Sequence, residues 1–239
     1  MSKPLTIIPI EGIGEIRPGD ELDALIAAVF GEHAATPLLD GDVLVVTQKI
    51  VSKAEGRMVM LDHDDSEAKV ALVESESVRI LRRRGDLRIC ETTHGFICAN
   101  AGIDLSNVEA GTAALLPVDP DRSARRLRAG LARLLSVSVG VVISDTFGRP
   151  WRQGVTDVAI GIAGIAGVID LRGSEDAGGR ELVATEVCVA DEIAAAAELV
   201  MGKASGVPVA IVRGVPEAWL RESSVSAEII RSAGDDLFR

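Results

Sequence analysis

Residues 137–144, VSVGVVIS, form an almost continuous apolar run, and Asp145 follows directly. An apolar run without regular polar alternation is typical of a β-strand that is covered on both faces. Residues 5–10, 43–46 and 207–212 also have the pattern of strands, and helix-like segments separate them. This alternation of strands and helices predicts an α/β fold, but the irregular spacing does not specify a doubly wound sheet.

Four segments have the pattern of helices, and two more have that of short strands. The predicted helices are residues 18–30, 62–84, 121–135 and 185–203, and the short strands are residues 87–90 and 95–99. The run Arg82-Arg83-Arg84 is expected near the end of the second helix, where the helix dipole stabilises cations. No internal repeat or low-complexity linker divides the chain, so residues 1–239 are predicted to form one unit.

Composition excludes several classes of protein. The chain has 239 residues and a net charge of −11, so its overall field does not favour nucleic acid, although a local basic pocket can still hold a small phosphorylated ligand. The three cysteines include no CxxC pair, which argues against disulfides and a thiolate zinc site. No signal peptide and no apolar segment of about 18 residues occurs, so we expect a soluble cytoplasmic protein without membrane attachment.

The densest group of candidate functional residues is SDTFGRPWRQG, at positions 144–154. A carboxylate such as Asp145, at the carboxyl end of a buried strand, is well placed to face a ligand crevice. Its oxygens and those of Thr146 are ligands that Mg²⁺ or Mn²⁺ prefers, and the arginines suit carboxylates or phosphates. The alternative interpretation is a capped turn with surface pairs between arginine and aspartate.

Three earlier segments hold weaker candidates. Asp104 lies in GIDLSN (residues 102–107), which is also ordinary turn composition. Lys49 and Lys53 are four apart, so on a helix they would share a face that binds phosphate or is merely solvated. The glycines of residues 12–14 lack the rest of a dinucleotide fingerprint, and no GxxxxGK[ST], GxSxG or HExxH motif occurs. No single side chain is indicated as a general base.

Four blocks, taken in order, resemble the F420-0:gamma-glutamyl ligase family, also called coenzyme F420:L-glutamate ligases. The blocks are VLVVTQKIVSKAEG (43–56), AGIDLSNV (101–108), LLPVDPD (115–121) and SDTFGRPWR (144–152). The last block is long and unusual in composition, and the resemblance as a whole spans nearly the whole chain.

The resemblance implies a GTP-dependent ligase that adds L-glutamate to the deazaflavin precursor of coenzyme F420. It also implies a mixed α/β fold particular to the family, with two lobes and an intertwined homodimer. Two divalent ions (Mg²⁺ or Mn²⁺) and a monovalent cation (K⁺) would act as cofactors. Asp104 and Asp145 would hold one divalent ion, and Thr146 would contribute to the second. The positions that would contact GTP are Ile13, Gly14, Glu15, Ile16, Gln48, Lys53 and Asn107.

Two departures limit what the resemblance implies. Residues 215–219, VPEAW, lack the Gly and Asp richness of a nucleotide-holding loop in relatives, so that contact is not expected here. The sequence contains no nitroreductase-like domain after the ligase unit, so flavin binding is not expected. Two other functions stay open at this point. One is a metal-dependent phosphohydrolase that uses the same acidic residues, and the other is a non-catalytic binder of a phosphorylated cofactor.

Overall fold

A computed structural model describes residues 4–31, 36–62, 64–106 and 108–237 of the chain. The strands within these ranges are β1 (Thr6–Ile10), β2 (Val43–Thr47), β3 (Met58–Met60), β4 (Ser77–Arg84), β5 (Leu87–Thr92), β6 (Ile97–Ala99), β7 (Thr112–Ala114), β8 (Gly140–Gly148), β9 (Val155–Ala163), β10 (Ile169–Asp170), β11 (Glu186–Val187) and β12 (Val209–Arg213). The helices are α1 (Leu22–Val29), α2 (Gln48–Ala54), α3 (Ser66–Ser75), α4 (Pro120–Leu135), α5 (Val189–Met201) and α6 (Val225–Glu228).

The main sheet has five strands in the order β1-β12-β2-β8-β9. Only β2 and β8 run parallel to each other in this sheet, and its other neighbours are antiparallel. Val141, Val142 and Ile143 of β8 have no exposed surface, as the apolar run predicted. Helix α4 packs against β8 and β9, and α5 packs against β1, β9 and β12. The α/β class is therefore confirmed, with a mixed sheet at the centre.

The prediction of a helix over residues 62–84 is wrong in its second half. Helix α3 ends at Ser75, and residues 77–84 form β4, which pairs antiparallel with β5. The arginine run at residues 82–84 thus lies in a strand and not at a helix end. Gly85, with φ of 56°, supplies the left-handed turn that brings β5 back, and cross-strand hydrogen bonds outweigh the helical propensity of Arg and Leu.

The strand that precedes the predicted site is also longer than expected. Strand β8 continues to Gly148, so Asp145 and Thr146 lie inside a β-hairpin and not in a loop that follows a strand. Their partners on β9 are Val158 and Asp157, respectively. The two strands stay paired beyond the buried core because their backbone hydrogen bonds continue after a register shift at Ile143 and Ser144.

No helix among the described residues is long and apolar enough to cross a bilayer. The cytoplasmic location, the two-lobe division and the intertwined homodimer stay predictions. The same holds for the assignment of residues 1–239 to one ligase unit.

Candidate active site

A cleft of about 680 Å³ opens where the parallel strands β2 and β8 reach their carboxyl ends. The predicted site residues that line it are Ile13, Gly14, Glu15, Ile16, Gln48, Lys53, Asp104, Asp145 and Thr146. Asn107, the remaining predicted contact, lies outside the described residues. The fold thus brings together side chains from segments that are up to about 130 positions apart, but their individual binding roles stay predictions.

Helix α2 directs two lysines into the cleft. The helix begins directly after β2, and the Thr47 hydroxyl caps it by accepting a hydrogen bond from the Lys49 backbone N–H at 3.3 Å. The Lys49 ammonium lies 2.9 Å from Asp104 Oδ2, and the Lys53 ammonium lies 2.5 Å from Glu15 Oε1. Both cations therefore face carboxylates of the cleft, and neither is simply solvated.

Gln48 borders the cleft but is almost completely buried, with 1% of its surface exposed. Its side-chain amide donates hydrogen bonds to Ser52 Oγ at 2.6 Å and to the Leu115 carbonyl at 3.0 Å. Both amide protons are therefore used inside the fold, where they join α2 to the residue that follows β7.

Asp104 combines a turn with an ion pair. Its Oδ1 accepts a hydrogen bond from the Ser106 backbone N–H at 2.6 Å, the geometry expected of an ordinary aspartate turn. Burial alone would raise the pKa of this carboxyl, but hydrogen bonds from Lys49 and Ser106 outweigh burial and lower it. Asp104 is therefore held as a carboxylate that faces the cleft.

Asp145 lies between two other acidic residues and forms no ion pair with any described residue. Burial, helped by the negative charges of Asp104 and Asp157, raises the pKa of its carboxyl to about 7, although the Thr146 backbone hydrogen bond and the charge of Lys203 act in the opposite direction. The ionised form of Asp145 is thus destabilised by its surroundings. A cation at this position would relieve that repulsion.

The sequence reasoning missed three residues at the same end of the cleft. Asp157, which is 4% exposed, accepts hydrogen bonds from Ser144 Oγ at 3.1 Å and Thr146 Oγ1 at 2.7 Å. The Lys203 ammonium lies 2.7 Å from Asp157 Oδ1 and 3.0 Å from Glu198 Oε1. One signal was available, because Asp157 is the only charged residue in the apolar segment at residues 155–163.

Comparison with known proteins identifies the family of the chain. The family model for F420-0:gamma-glutamyl ligase matches residues 12–214. The chain belongs to this family. It is 42% identical to the coenzyme F420:L-glutamate ligase of Methanothermobacter thermautotrophicus over 250 aligned residues, which cover 98% of this chain and 99% of that protein. It is 44% identical to the protein of the same name from Methanopyrus kandleri, with 98% of each chain covered.

The donor atoms of the cleft fit a divalent cation. The oxygens of Asp104, Asp145 and Thr146 are the hard ligands that Mg²⁺ and Mn²⁺ prefer, and the carboxylate of Asp145 forms no ion pair with a described residue. In the described part of the chain, however, no three His, Cys, Asp or Glu side chains are grouped closely enough to hold a metal ion by themselves. A family member with this arrangement would therefore need further oxygen ligands from water or from phosphate.

The tip of the β8–β9 hairpin extends from the cleft, since Thr146 and Val155 at its base line the cavity. Trp151 at this tip is 83% exposed and has a positive φ of 57°, which is rare for a large side chain. Neither Arg149 nor Arg152 forms an ion pair with a described residue, so the surface pairs of the alternative interpretation are not formed. Two guanidinium groups thus remain accessible near the cleft.

Proposed function

We propose that this chain is a GTP-dependent ligase that joins L-glutamate to the carboxylate of the coenzyme F420 precursor. The observation that carries the proposal is that nine predicted metal and nucleotide contacts from separate segments line one cleft. Membership of the family supports the same activity. So do two relatives named coenzyme F420:L-glutamate ligase, which align with this chain over nearly their whole length.

GTP binding is assigned to the side of the cleft formed by residues 13–16 and α2. The ammonium of Lys53 supplies a point charge for phosphate oxygens, and Asn107 is a further proposed contact. Glu15, whose side chain is 74% exposed, now pairs with Lys53, so a phosphate would compete with a solvent-accessible carboxylate for this cation. Such an exchange should cost little free energy, because an ion pair with a solvent-exposed partner such as Glu15 contributes little stability.

Divalent ions, Mg²⁺ or Mn²⁺, are assigned to the acidic side of the cleft. Asp104 and Asp145 would hold one, the family resemblance assigns a second to Thr146, and K⁺ is a proposed monovalent cofactor. When bound, divalent ions neutralise charge on the phosphate oxygens of the nucleotide. The chain's own contribution is to position these carboxylates on a rigid hairpin and on the bridge between Asp104 and Ala114.

The proposed chemistry proceeds through an acyl phosphate. A carboxylate oxygen of the precursor attacks the γ-phosphorus of GTP, the bond to the β–γ bridging oxygen breaks, and GDP leaves. The glutamate amine then attacks the acyl carbon and loses a proton, and phosphate leaves with the original carboxylate oxygen. A cleft closed to water would protect the acyl phosphate from hydrolysis.

An isotope experiment tests the acyl phosphate directly. The precursor is labelled with ¹⁸O in its carboxylate and incubated with GTP, L-glutamate and Mn²⁺, and the released phosphate is analysed by mass spectrometry. We expect one ¹⁸O atom in each phosphate. Unlabelled phosphate, or phosphate release that does not require precursor and glutamate, would contradict the proposal and would favour a phosphohydrolase.

A homodimer is proposed as the functional unit. The chain has a mass of 25.0 kDa, so light scattering should give roughly twice that value. A monomer mass at concentrations where the protein is active would contradict this part of the proposal.

A further inference from the structure

Lys203 is placed by the end of α5. The helix ends at Met201, and Gly202 follows with a φ of 61°, which is a conformation that favours glycine. The chain then turns so that the Lys203 side chain lies along the wall of the cleft, beside the β8–β9 hairpin. The sequence predicted a helix that continues to Lys203. Instead, the turn at Gly202 separates Lys203 from the helix.

Three oxygen-bearing side chains surround the Lys203 ammonium. It lies 2.7 Å from Asp157 Oδ1 and 3.0 Å from Glu198 Oε1, and it also contacts Thr146 Oγ1. Asp157 is the most buried of these partners, and its two oxygens also accept hydrogen bonds from Ser144 and Thr146. Carboxylate, carboxylate and hydroxyl oxygens that converge on one positive charge are the surroundings that a divalent cation would have.

Asp104 and Asp145 have fewer contacts with ammonium groups than Asp157 and Glu198, which both pair with Lys203. Lys49 contacts Asp104, but no ammonium contacts Asp145 among the described residues. Removal of Lys203 would leave a nearly buried carboxylate without its cation, whereas Lys49 pairs with an Asp104 side chain that is 29% exposed. The need for an added cation is therefore concentrated at Asp104 and Asp145.

We propose that the Lys203 ammonium replaces the second divalent ion of the site, so that this chain binds one divalent ion, at Asp104 and Asp145. The inference rests on the proposed function for the presence of a divalent ion at that first position. It refines the expectation of two divalent ions, because the hydroxyl of Thr146, which was assigned to the second ion, already contacts an ammonium group.

The experiment counts bound Mn²⁺ by electron paramagnetic resonance in the wild-type chain and in two variants. Lys203→Met removes the charge and keeps the approximate length of the side chain, and Lys203→Arg keeps the charge as a matched control. Each protein is titrated with and without a non-hydrolysable GTP analogue, and circular dichroism checks that each is folded. We expect one Mn²⁺ per chain in the wild type and in Lys203→Arg, and two in Lys203→Met.

Two ions per wild-type chain would overturn the proposal, and so would a Lys203→Met chain that still binds only one. Failure of the ligase proposal has a different signature. In that case glutamate addition is absent in every protein, whereas the count of Mn²⁺ still rises from one to two on substitution of Lys203. The two ideas can thus fail separately.

Discussion

Asp145 stands out both for its position in the cleft and for the raised pKa of its carboxyl. Its carboxylate borders the cleft, the acidic residues Asp104 and Asp157 lie on either side, and burial raises the pKa to about 7. In its ionised form such a group destabilises the fold when no cation is bound. Strained or repulsive groups of this kind are characteristic of functional sites.

Replacement of Asp145 by Asn should therefore separate activity from stability. We expect glutamate addition to fall at least about 100-fold, because a ligand of the divalent ion loses its charge. The folded-state pKa lies above the unfolded value of 3.8, so the wild type loses stability as the pH rises from about 4 to about 7. In the presence of a chelator at pH 8, Asp145→Asn should unfold with a free energy equal to the wild-type value or higher by up to about 4 kcal/mol.

Rate measurements with saturating GTP and urea titrations of both proteins check this prediction. Near-normal turnover of Asp145→Asn would contradict the assigned role. A marked loss of stability would show that the carboxylate serves the fold and not a ligand.

A site residue could be predicted from the sequence only where the residues next to it form a recognisable motif. Asp104, Lys53 and the Asp145–Thr146 pair were found because they lie in blocks that resemble a family. Asp157 and Lys203 were missed, because their roles depend on the pairing of β8 with β9 and on the turn at Gly202. Such contacts join residues that are 46 positions apart and leave no local pattern.

At the scale of elements, α4 packs so closely on β9 that no space remains for a side chain at Gly161. A Cβ atom added at Gly161 of β9 would lie 2.4 Å from the backbone of Pro120, the first residue of α4. We expect Gly161→Ala to lower the free energy of unfolding by about 1–3 kcal/mol or more, because the backbone of α4 must move. Gly148→Ala in the same hairpin is a matched control, since nothing lies within 4 Å of the added atom there. Equal stability of the two variants in urea titrations would contradict this packing.

The last residue of the short helix α6, Glu228, links this helix to neighbouring segments. The carboxylate contacts the Arg221 guanidinium at 2.5 Å and accepts hydrogen bonds from the backbone N–H groups of Gly167 and Val168, both at 3.1 Å. Burial alone would raise the pKa of Glu228, but the hydrogen bonds from Arg221 and Val168 outweigh it and lower the pKa to about 2. Glu228 thus joins the end of this element to the segment that follows β9, while Asp121 of α4 accepts hydrogen bonds from the backbone N–H groups of Val225 and Ser226 at its start.

This pKa shift predicts how stability depends on pH. The folded-state value lies below the unfolded value of 4.5, so the contribution is complete above about pH 4.5 and is lost as the pH falls towards 2. Glu228→Gln should cost on the order of 1–3 kcal/mol at pH 7 and much less at pH 3. Urea titrations at the two pH values test the prediction, and an equal difference at both would contradict it.

The elements that were predicted correctly are those whose own residue pattern indicates a strand or a helix. The apolar runs of β2, β8 and β12 and the periodicity of α4 were sufficient. Strand β4 was predicted as a helix because its Arg and Leu residues favour helices, and only pairing with β5 selects the strand. Helix α5 was predicted too long at both ends, since residues 186–187 form β11 and Gly202 ends the helix.

At the scale of the whole molecule, the sheet order could not be derived from the sequence. Strand β12, which is last in sequence, lies between β1 and β2, and this arrangement brings residues 198–208 to the same cleft as residues 13–16. The site is therefore a property of the complete fold, assembled from acidic residues of the β8–β9 hairpin and of neighbouring loops and from lysines in α2 and just after α5. The order of the family blocks predicted which segments take part, but not the ion pairs between them.

The central claim is that this cleft adds L-glutamate to the coenzyme F420 precursor at the expense of GTP. Mass spectrometry of the precursor after incubation with GTP, L-glutamate and Mn²⁺ tests it most directly. We expect a product heavier by one glutamyl unit, or a ladder of such units, with the wild type and none with Asp145→Asn. An unchanged precursor with folded, metal-loaded wild-type protein would contradict the account, and so would the same product from Asp145→Asn at a near-normal rate.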